Sequence, residues 1–413
     1  MNNIESIVQG LQENKVMNEE VVTHRNGRIY KPLFITGFKK RFLIFRIRLT
    51  ILRIAINNYK NPIYWLGVIR YFIKLRKKYL GNNKHNRLVL VDDKYYMGLY
   101  TPGWKGNVFD TFILSQLDDY KPIPNKQINR FMVAFIAITK KCPLKCEHCY
   151  EWNSLNGKEV LTETDLNVIV AKIQKQGVAQ IYLTGGEPMN RLRVLLKVLH
   201  QAEKTTDFWI NTSGYNLTDI NARLLKEAGL TGAVISLDHY IPEEHNQFRG
   251  NSNAFNWAKE AVKNANVNKL VTALSLCVTR DFVNKENLMA YMDLARDMKV
   301  TFVQLLEPKS VGHYEGINVS LSKDQIEIME DFVLNMNFNT FNRGYPFINY
   351  HAFYQRRHGC FSAGYKGLYI DTDGDMNPCP FCHKKTGSVL DRKFEKNLEL
   401  LRTNGCKGII INQ

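Results

Sequence analysis

Lys141-Cys-Pro-Leu-Lys-Cys-Glu-His-Cys-Tyr150 follows directly on the apolar, β-rich run Phe131 to Thr139 and places three thiols, Cys142, Cys146 and Cys149, on one loop. Three thiolates at C-x3-C-x2-C spacing can hold three irons of a 4Fe-4S cube and leave the fourth iron open to an exogenous ligand. Ferredoxin ligation differs, because it supplies a fourth cysteine. Zinc sites usually pair two C-x2-C knuckles or add histidine. A structural zinc site or a chance cluster is the bland alternative. A second element weighs against it: Thr184-Gly-Gly-Glu-Pro188 closes the strand-like run Ala179 to Leu183, about 35 residues after the cysteine loop. Gly185 and Gly186 let backbone approach a ligand closely, and Glu187 can accept a hydrogen bond from an amine.

Around these two elements, short apolar runs alternate with amphipathic stretches. Strands are expected at Val133 to Thr139, Gln180 to Thr184, Phe208 to Asn211, Ala233 to Leu237, Leu270 to Val278 and Thr301 to Leu306. The first intervening helix opens with the capping box Thr162-x-x-Asp165. Others are expected near Leu192 to Glu203, Asp219 to Ala228, Asn253 to Asn266 and Lys285 to Met298. Six β/α units in succession call for parallel strands with right-handed crossovers. The fold class expected is therefore α/β, a partial (β/α)6 TIM-like barrel, because both motifs fall at carboxyl ends of strands, where barrel sites gather.

The cysteine loop and the Gly-Gly-Glu-Pro turn resemble those of the radical SAM superfamily, and several further positions match singly. His148 occupies the slot before the third cysteine, next to where adenine lies in that family. Asn211, ending the third strand in Trp209-Ile-Asn-Thr-Ser-Gly214, matches a ribose-bonding position. Ser236 and Asp238 end the fourth strand. Arg249, in His245-Asn-Gln-Phe-Arg-Gly250, resembles the SPASM and twitch subgroup's arginine that pairs with the methionine carboxylate; a planar guanidinium suits that task. Each of these polar residues also has a plain capping or turn reading. The resemblance implies a [4Fe-4S] cluster on Cys142, Cys146 and Cys149 and S-adenosylmethionine held near His148, Gly185, Gly186, Glu187, Pro188, Asn211, Ser236, Asp238 and Arg249. It also implies reductive formation of a 5′-deoxyadenosyl radical that abstracts substrate hydrogen, and a flavodoxin- or ferredoxin-type electron donor.

Four more cysteines lie after residue 359. Asp-Gly, between the apolar runs on either side of residues 371–375, reads as a β-hairpin returning Cys379 towards Cys360. The segment resembles the start of a SPASM or twitch extension, which implies one auxiliary 4Fe-4S cluster on Cys360, Cys379, Cys382 and Cys406. His383 is a substitute for Cys406, and a zinc site is the alternative. Cys277, alone on the fifth strand, reads as a buried core thiol; facing the lumen it becomes a hydrogen-atom donor to a substrate radical. The substrate expected from the subgroup is a ribosomally made peptide that is oxidised, cross-linked or epimerised. A small metabolite or lipid headgroup is the second reading, and a non-catalytic iron-sulfur carrier the third.

Length allows a barrel plus smaller parts: residues 1–86 as a basic helical extension, 87–130 as a small β-rich bridge, 131–310 as the barrel and 311–413 as the cysteine-rich C-terminal region. The net charge of +17 has one address. Val21 to Val91 carries 17 Lys and Arg and no acid, which leaves 39 basic against 39 acidic residues elsewhere. From Phe42 to Ile56, residues Leu43, Ile44, Ile47, Ile51, Ile54 and Ala55 share one helical stripe, with Arg41, Arg46, Arg48, Arg53 and Lys60 on the other side. A second helix starts after Asn61-Pro62. This pair reads as a packed hairpin with a solvated basic face, as a peripheral contact with anionic membrane, or as a grip on an acidic peptide; no RNA-binding motif accompanies the charge, which sets nucleic acid last. The polar, acidic N-terminus does not read as a signal peptide, and a reducing cytoplasm, with peripheral attachment at the membrane's inner face, is the expected location.

Overall fold

The computed structural model describes residues 31–123, 131–360 and 364–403. Chain order begins with β1 (Leu33–Ile35), α1 (Gly37–Asn58), α2 (Pro62–Leu80), β2 (Leu88–Val91), β3 (Lys94–Tyr96) and α3 (Asn107–Tyr120). The core follows as β4 (Val133–Ala137), α4 (Glu163–Lys175), β5 (Gln180–Thr184), α5 (Leu192–Gln201), β6 (Asp207–Thr212), α6 (Asp219–Ala228), β7 (Leu230–Ser236), α7 (Pro242–Arg249), α8 (Ala254–Val267), β8 (Val271–Cys277), α9 (Lys285–Asp297) and β9 (Phe302–Leu306). Then come α10 (Lys323–Phe338), β10 (Phe347–Tyr350), α11 (His351–His358), β11 (Gly367–Ile370), β12 (Met376–Asn377) and α12 (Phe394–Thr403).

Strands β4 to β9 are the six expected units, paired in parallel in chain order within a nine-stranded sheet, β10-β9-β8-β7-β6-β5-β4-β11-β12. Two parallel strands beyond that expectation extend it: β10 beside β9 and β11 beside β4. Alternation along each strand separates two apolar layers. Ile181 and Leu183 of β5 point to the helices, while Tyr182 joins Trp209, Val234, Ala273 and Phe302 on the inner face. Each helix is placed by local rules; Thr162 and Asp165 form the capping box of α4, with the Thr162 backbone N–H donating to Asp165 at 2.9 Å. The short helix α7, with proline at its first turn and left-handed Gly250 at its end, was not expected, and it carries Arg249 on its last turn.

The N-terminal segments plug one end of the inner face. Val89, Val91, Tyr96 and Leu99 pack into the inner layer, and the Leu99 carbonyl accepts from the Tyr182 hydroxyl at 3.3 Å. Arg87 is fully buried there, donating to the Pro346 and Met336 carbonyls and lying over the Phe347 ring. Residues read as a β-rich bridge also contain α3, whose Phe109, Ile113 and Leu117 share one apolar cluster with Leu43, Ile47, Ile54 and Ala55 of α1. Among the described residues no helix is long and apolar enough to cross a membrane.

Candidate active site

The loop after β4 and the loop after β5 are zipped together at the carboxyl end of the sheet. Gly186 N–H donates to the Thr139 carbonyl at 2.7 Å and Glu187 N–H to the Lys141 carbonyl at 2.8 Å. A Cβ on Gly185, which has φ +127°, would stand 2.5 Å from the Thr139 oxygen, and one on Gly186 would overlap the Lys141 oxygen. The two glycines therefore admit the cysteine loop's own backbone, where the sequence suggested a ligand. Gly186→Ala is expected to destabilise the fold by about 1–3 kcal/mol through overpacking and to lower iron occupancy. Denaturant midpoint and iron content measure both; parental values for both would contradict this account of the turn.

Glu187 is buried, and its carboxylate accepts from Thr212 Oγ1 (2.7 Å), Ser213 Oγ (2.6 Å), Ser213 N–H (2.8 Å) and Met189 N–H (3.1 Å). Burial raises its pKa, against the pull of those hydrogen bonds. It thus ties β5 to β6, and Pro188 opens the 3₁₀ turn behind it.

Arg249 lies along the other flank. Its Nε and Nη2 each approach Asp238 Oδ2 at 2.5 Å, and Nη1 donates to Cys146 Sγ at 3.5 Å. The backbone around it follows the cysteine loop, with Lys145 N–H on the Arg249 carbonyl (3.1 Å) and Glu147 N–H on the Phe248 carbonyl (3.0 Å). Asp238 also accepts from Cys277 N–H at 2.9 Å, and its own N–H donates to His245 Nδ1 at 3.0 Å. Burial works to raise the Asp238 pKa, but Arg249 and the neighbouring histidines outweigh it and hold the carboxyl below its ordinary value.

His148 stacks on Phe248 at 4.9 Å, burial depresses it to about 4, and its Nδ1 is buried without a partner among the described residues. Asn211 Oδ1 is likewise unpartnered. Two orphaned polar atoms facing one cavity fit a polar ligand. That cavity, about 300 Å³, is lined by all three loop cysteines and by His148, Asn211 and Ser236. Cys277, Cys360 and Cys379 line it too.

The C-terminal hairpin forms as expected, with β11 and β12 antiparallel, and its cysteine turn is docked on the loop that follows Cys149. Tyr150 packs edge-on against Phe381 (5.8 Å) and Tyr369 (6.0 Å), Tyr369 donates to Glu151, and Lys140 pairs with Asp373 at 2.6 Å. Cys382 N–H donates to the Cys379 carbonyl at 3.0 Å. His383 Nε2 lies 2.6 Å from the Pro380 carbonyl. Cys406 lies outside the described residues.

One clamp was missed in the sequence. His313, in the turn Gly312–Tyr314 after β9, donates its N–H to the Cys149 carbonyl (2.9 Å), sets Nδ1 3.1 Å from the Cys146 carbonyl and stacks on Trp152 at 3.8 Å. The only signal was Gly312, whose φ of +61° allows the close pass over Cys149.

Burial pushes the Cys142 and Cys149 thiols up to about 12 and raises Cys146 as well. Such thiols become thiolates when a metal supplies the missing positive charge. No three His, Cys, Asp or Glu side chains among the described residues converge on a point able to hold one metal ion. Thiols that each ligate a different iron of a cube stand at separate corners and have no need to converge. The three loop thiols, the orphaned Asn211 and His148 atoms and the shared cavity fit a cluster with a polar ligand beside it.

Comparison with known proteins agrees in kind. Residues 136–295 match the Radical SAM superfamily. The chain is 28% identical over 213 residues to a probable GTP 3′,8-cyclase of Methanocaldococcus jannaschii, covering 49% of this chain and 68% of that protein. It is 25% identical to the Fe-coproporphyrin III synthase of Methanosarcina barkeri, covering 51% and 52%. The chain thus spans between half and about two thirds of the length of these relatives. Among solved structures, SuiB of Streptococcus suis bound to precursor peptide SuiA superposes with TM-score 0.50 at 16% identity, over 71% of this chain and 69% of that one. anSMEcpe with bound AdoMet gives 0.51 at 17%, over 67% and 82%. At that identity the two structures speak to the fold alone.

Proposed function

We propose that this radical SAM enzyme oxidises or cross-links side chains of a ribosomally made peptide. The observation that carries the reading is that one cavity is lined both by Cys142, Cys146 and Cys149 and by Cys360 and Cys379. When bound, a [4Fe-4S] cluster with S-adenosylmethionine supplies a 5′-deoxyadenosyl radical able to take hydrogen from an unactivated C–H bond. Cys142, Cys146 and Cys149 would hold that cluster, and Asn211 and Ser236 would meet the ribose. His148, backed by the stacked Phe248 ring, would lie beside the base. Glu187 and Arg249 would position the two loops around it, Arg249 through its contacts with Asp238 and Cys146. Cys360, Cys379 and Cys382, with a fourth ligand, would hold an auxiliary cluster, whose chemistry would be to take up the electron that an oxidation or cross-link discards. A flavodoxin- or ferredoxin-type protein is the electron source.

A second reading, conversion of a purine nucleotide, is favoured by the relatives named GTP 3′,8-cyclase. A triphosphate needs spare cations. The cavity's described lysines and arginine are already paired: Arg249 with Asp238, Lys309 with Glu307 and Lys366 with Asp119. Reconstituted enzyme with dithionite and S-adenosylmethionine is expected to release 5′-deoxyadenosine, and a candidate precursor peptide to raise the rate with loss of hydrogen from the peptide. GTP consumption with matching stimulation would overturn the peptide reading. Cys277→Ala separates outcomes further: an oxidising enzyme keeps its product, whereas loss of solvent deuterium incorporation into an otherwise intact peptide would reveal epimerisation with Cys277 as donor.

A further inference from the structure

We infer that α1, assisted by α2, seats this enzyme on an anionic lipid bilayer. α1 is apolar on two opposite sides. Leu43, Ile47, Ile54 and Ala55 are buried on the inner one. Phe38, Phe42, Phe45, Leu49 and Ile56 are 83%, 53%, 54%, 48% and 43% exposed on the outer one. At about 100° of turn per residue, the outer five fall within an arc of about 60°, facing away from the buried stripe.

Exposed basic side chains border that arc on both edges, with Lys39, Arg46 and Arg53 on one and Arg41 and Arg48 on the other. No acid occurs in α1 or α2. Among the described residues only Arg53 of this set is paired with a carboxylate, Asp110 at 3.2 Å. α2 continues the chemistry, exposing Ile63, Leu66, Ile69 and Ile73 among Arg70, Lys74, Lys77 and Lys78. Soluble monomers rarely leave so long an apolar strip in water.

Charge decides the occupant. An apolar stripe between two cationic edges matches a helix lying in the interface, with aromatic and aliphatic side chains at the acyl boundary and guanidinium and ammonium groups among headgroup phosphates. A second copy seated on the same face would set cations against cations, and nucleic acid has no use for the apolar centre.

The test is co-sedimentation of the reconstituted full-length enzyme with phosphatidylcholine vesicles that contain or lack phosphatidylserine, at low and high salt. Binding should require phosphatidylserine and weaken with salt. A Phe42→Ser/Phe45→Ser variant should bind roughly tenfold or more weakly while forming 5′-deoxyadenosine at the parental rate. Both side chains are exposed, so a thermal midpoint equal to the parent's is expected and certifies the comparison. Absence of binding to phosphatidylserine vesicles would overturn the inference, as would parental binding by the variant. A concentration-dependent dimer abolished by the variant, or vesicle binding displaced by an acidic peptide that the variant cannot hold, would assign the face to protein instead and overturn it too. Because 5′-deoxyadenosine is measured alongside, failure here leaves the catalytic reading standing and is told apart from failure of that reading.

Discussion

Serine in place of Cys142, Cys146 or Cys149 is expected to reduce 5′-deoxyadenosine formation to background and to remove about four irons per chain out of about eight. On the proposed reading each thiol is one corner ligand, and a serine hydroxyl is a poor iron ligand where burial already disfavours the anion. The C-terminal thiols give the contrasting case. Cys360→Ser or Cys379→Ser should also remove about four irons, yet leave S-adenosylmethionine cleavage intact and stop only the conversion of peptide. Iron analysis and product assays on the two sets, run side by side, separate the centres. Equal loss of 5′-deoxyadenosine in both sets would mean that the C-terminal thiols are needed for the first centre itself.

Arg249→Ala is expected to cost about 3–5 kcal/mol of stability, because it leaves the buried Asp238 carboxylate without its counter-charge. Catalysis should fail as well, since Arg249 links Asp238, Cys146 and the backbone of the cysteine loop. Lysine at this position is not conservative: one ammonium cannot span both Asp238 and Cys146 as the forked guanidinium does. The same pair sets a pH signature. Asp238 is held below its ordinary value in the folded protein, so its contribution is complete above about pH 4, the unfolded carboxyl's range, and is lost as pH falls through the depressed folded value. The stability gap between the parent and Asp238→Asn should therefore be constant from neutral pH down to about 4 and narrow below it. A gap that instead narrows on raising the pH would contradict the pairing.

Much of the site was readable in the chain because its parts are local. The β5 run Gln180 to Thr184 and the α6 run Asp219 to Ala228 were expected at their observed bounds, since each is bracketed by a clear change of period or a cap. The two motif loops sit at strand ends for the same reason. What escaped reading is non-local. β10 has four residues and β11 belongs to a hairpin, and neither period nor composition says that they pair in parallel with β9 and β4. Gly185 and Gly186 looked like ligand-facing residues because the neighbour they admit, the Thr139 to Lys141 backbone, is about 45 residues away. Glu187 and Arg249 were read as cofactor-facing or as turn residues; their partners, Ser213 and Asp238, come from the loops after β6 and β7. On α1, the single expected stripe proved to be the inner of two. Phe38 lay outside the window read, and an outward row of Phe42, Phe45 and Leu49 becomes conspicuous only when the inward side is known to be filled.

The claim on which the rest stands is that Cys142, Cys146 and Cys149 hold an iron-sulfur cube with one coordination position left for S-adenosylmethionine. Electron paramagnetic resonance of the reduced, anaerobically reconstituted Cys360→Ser/Cys379→Ser variant isolates that centre. The account predicts a cluster signal that changes on adding S-adenosylmethionine. A signal indifferent to the addition, or zinc in place of iron at those thiols, would contradict it.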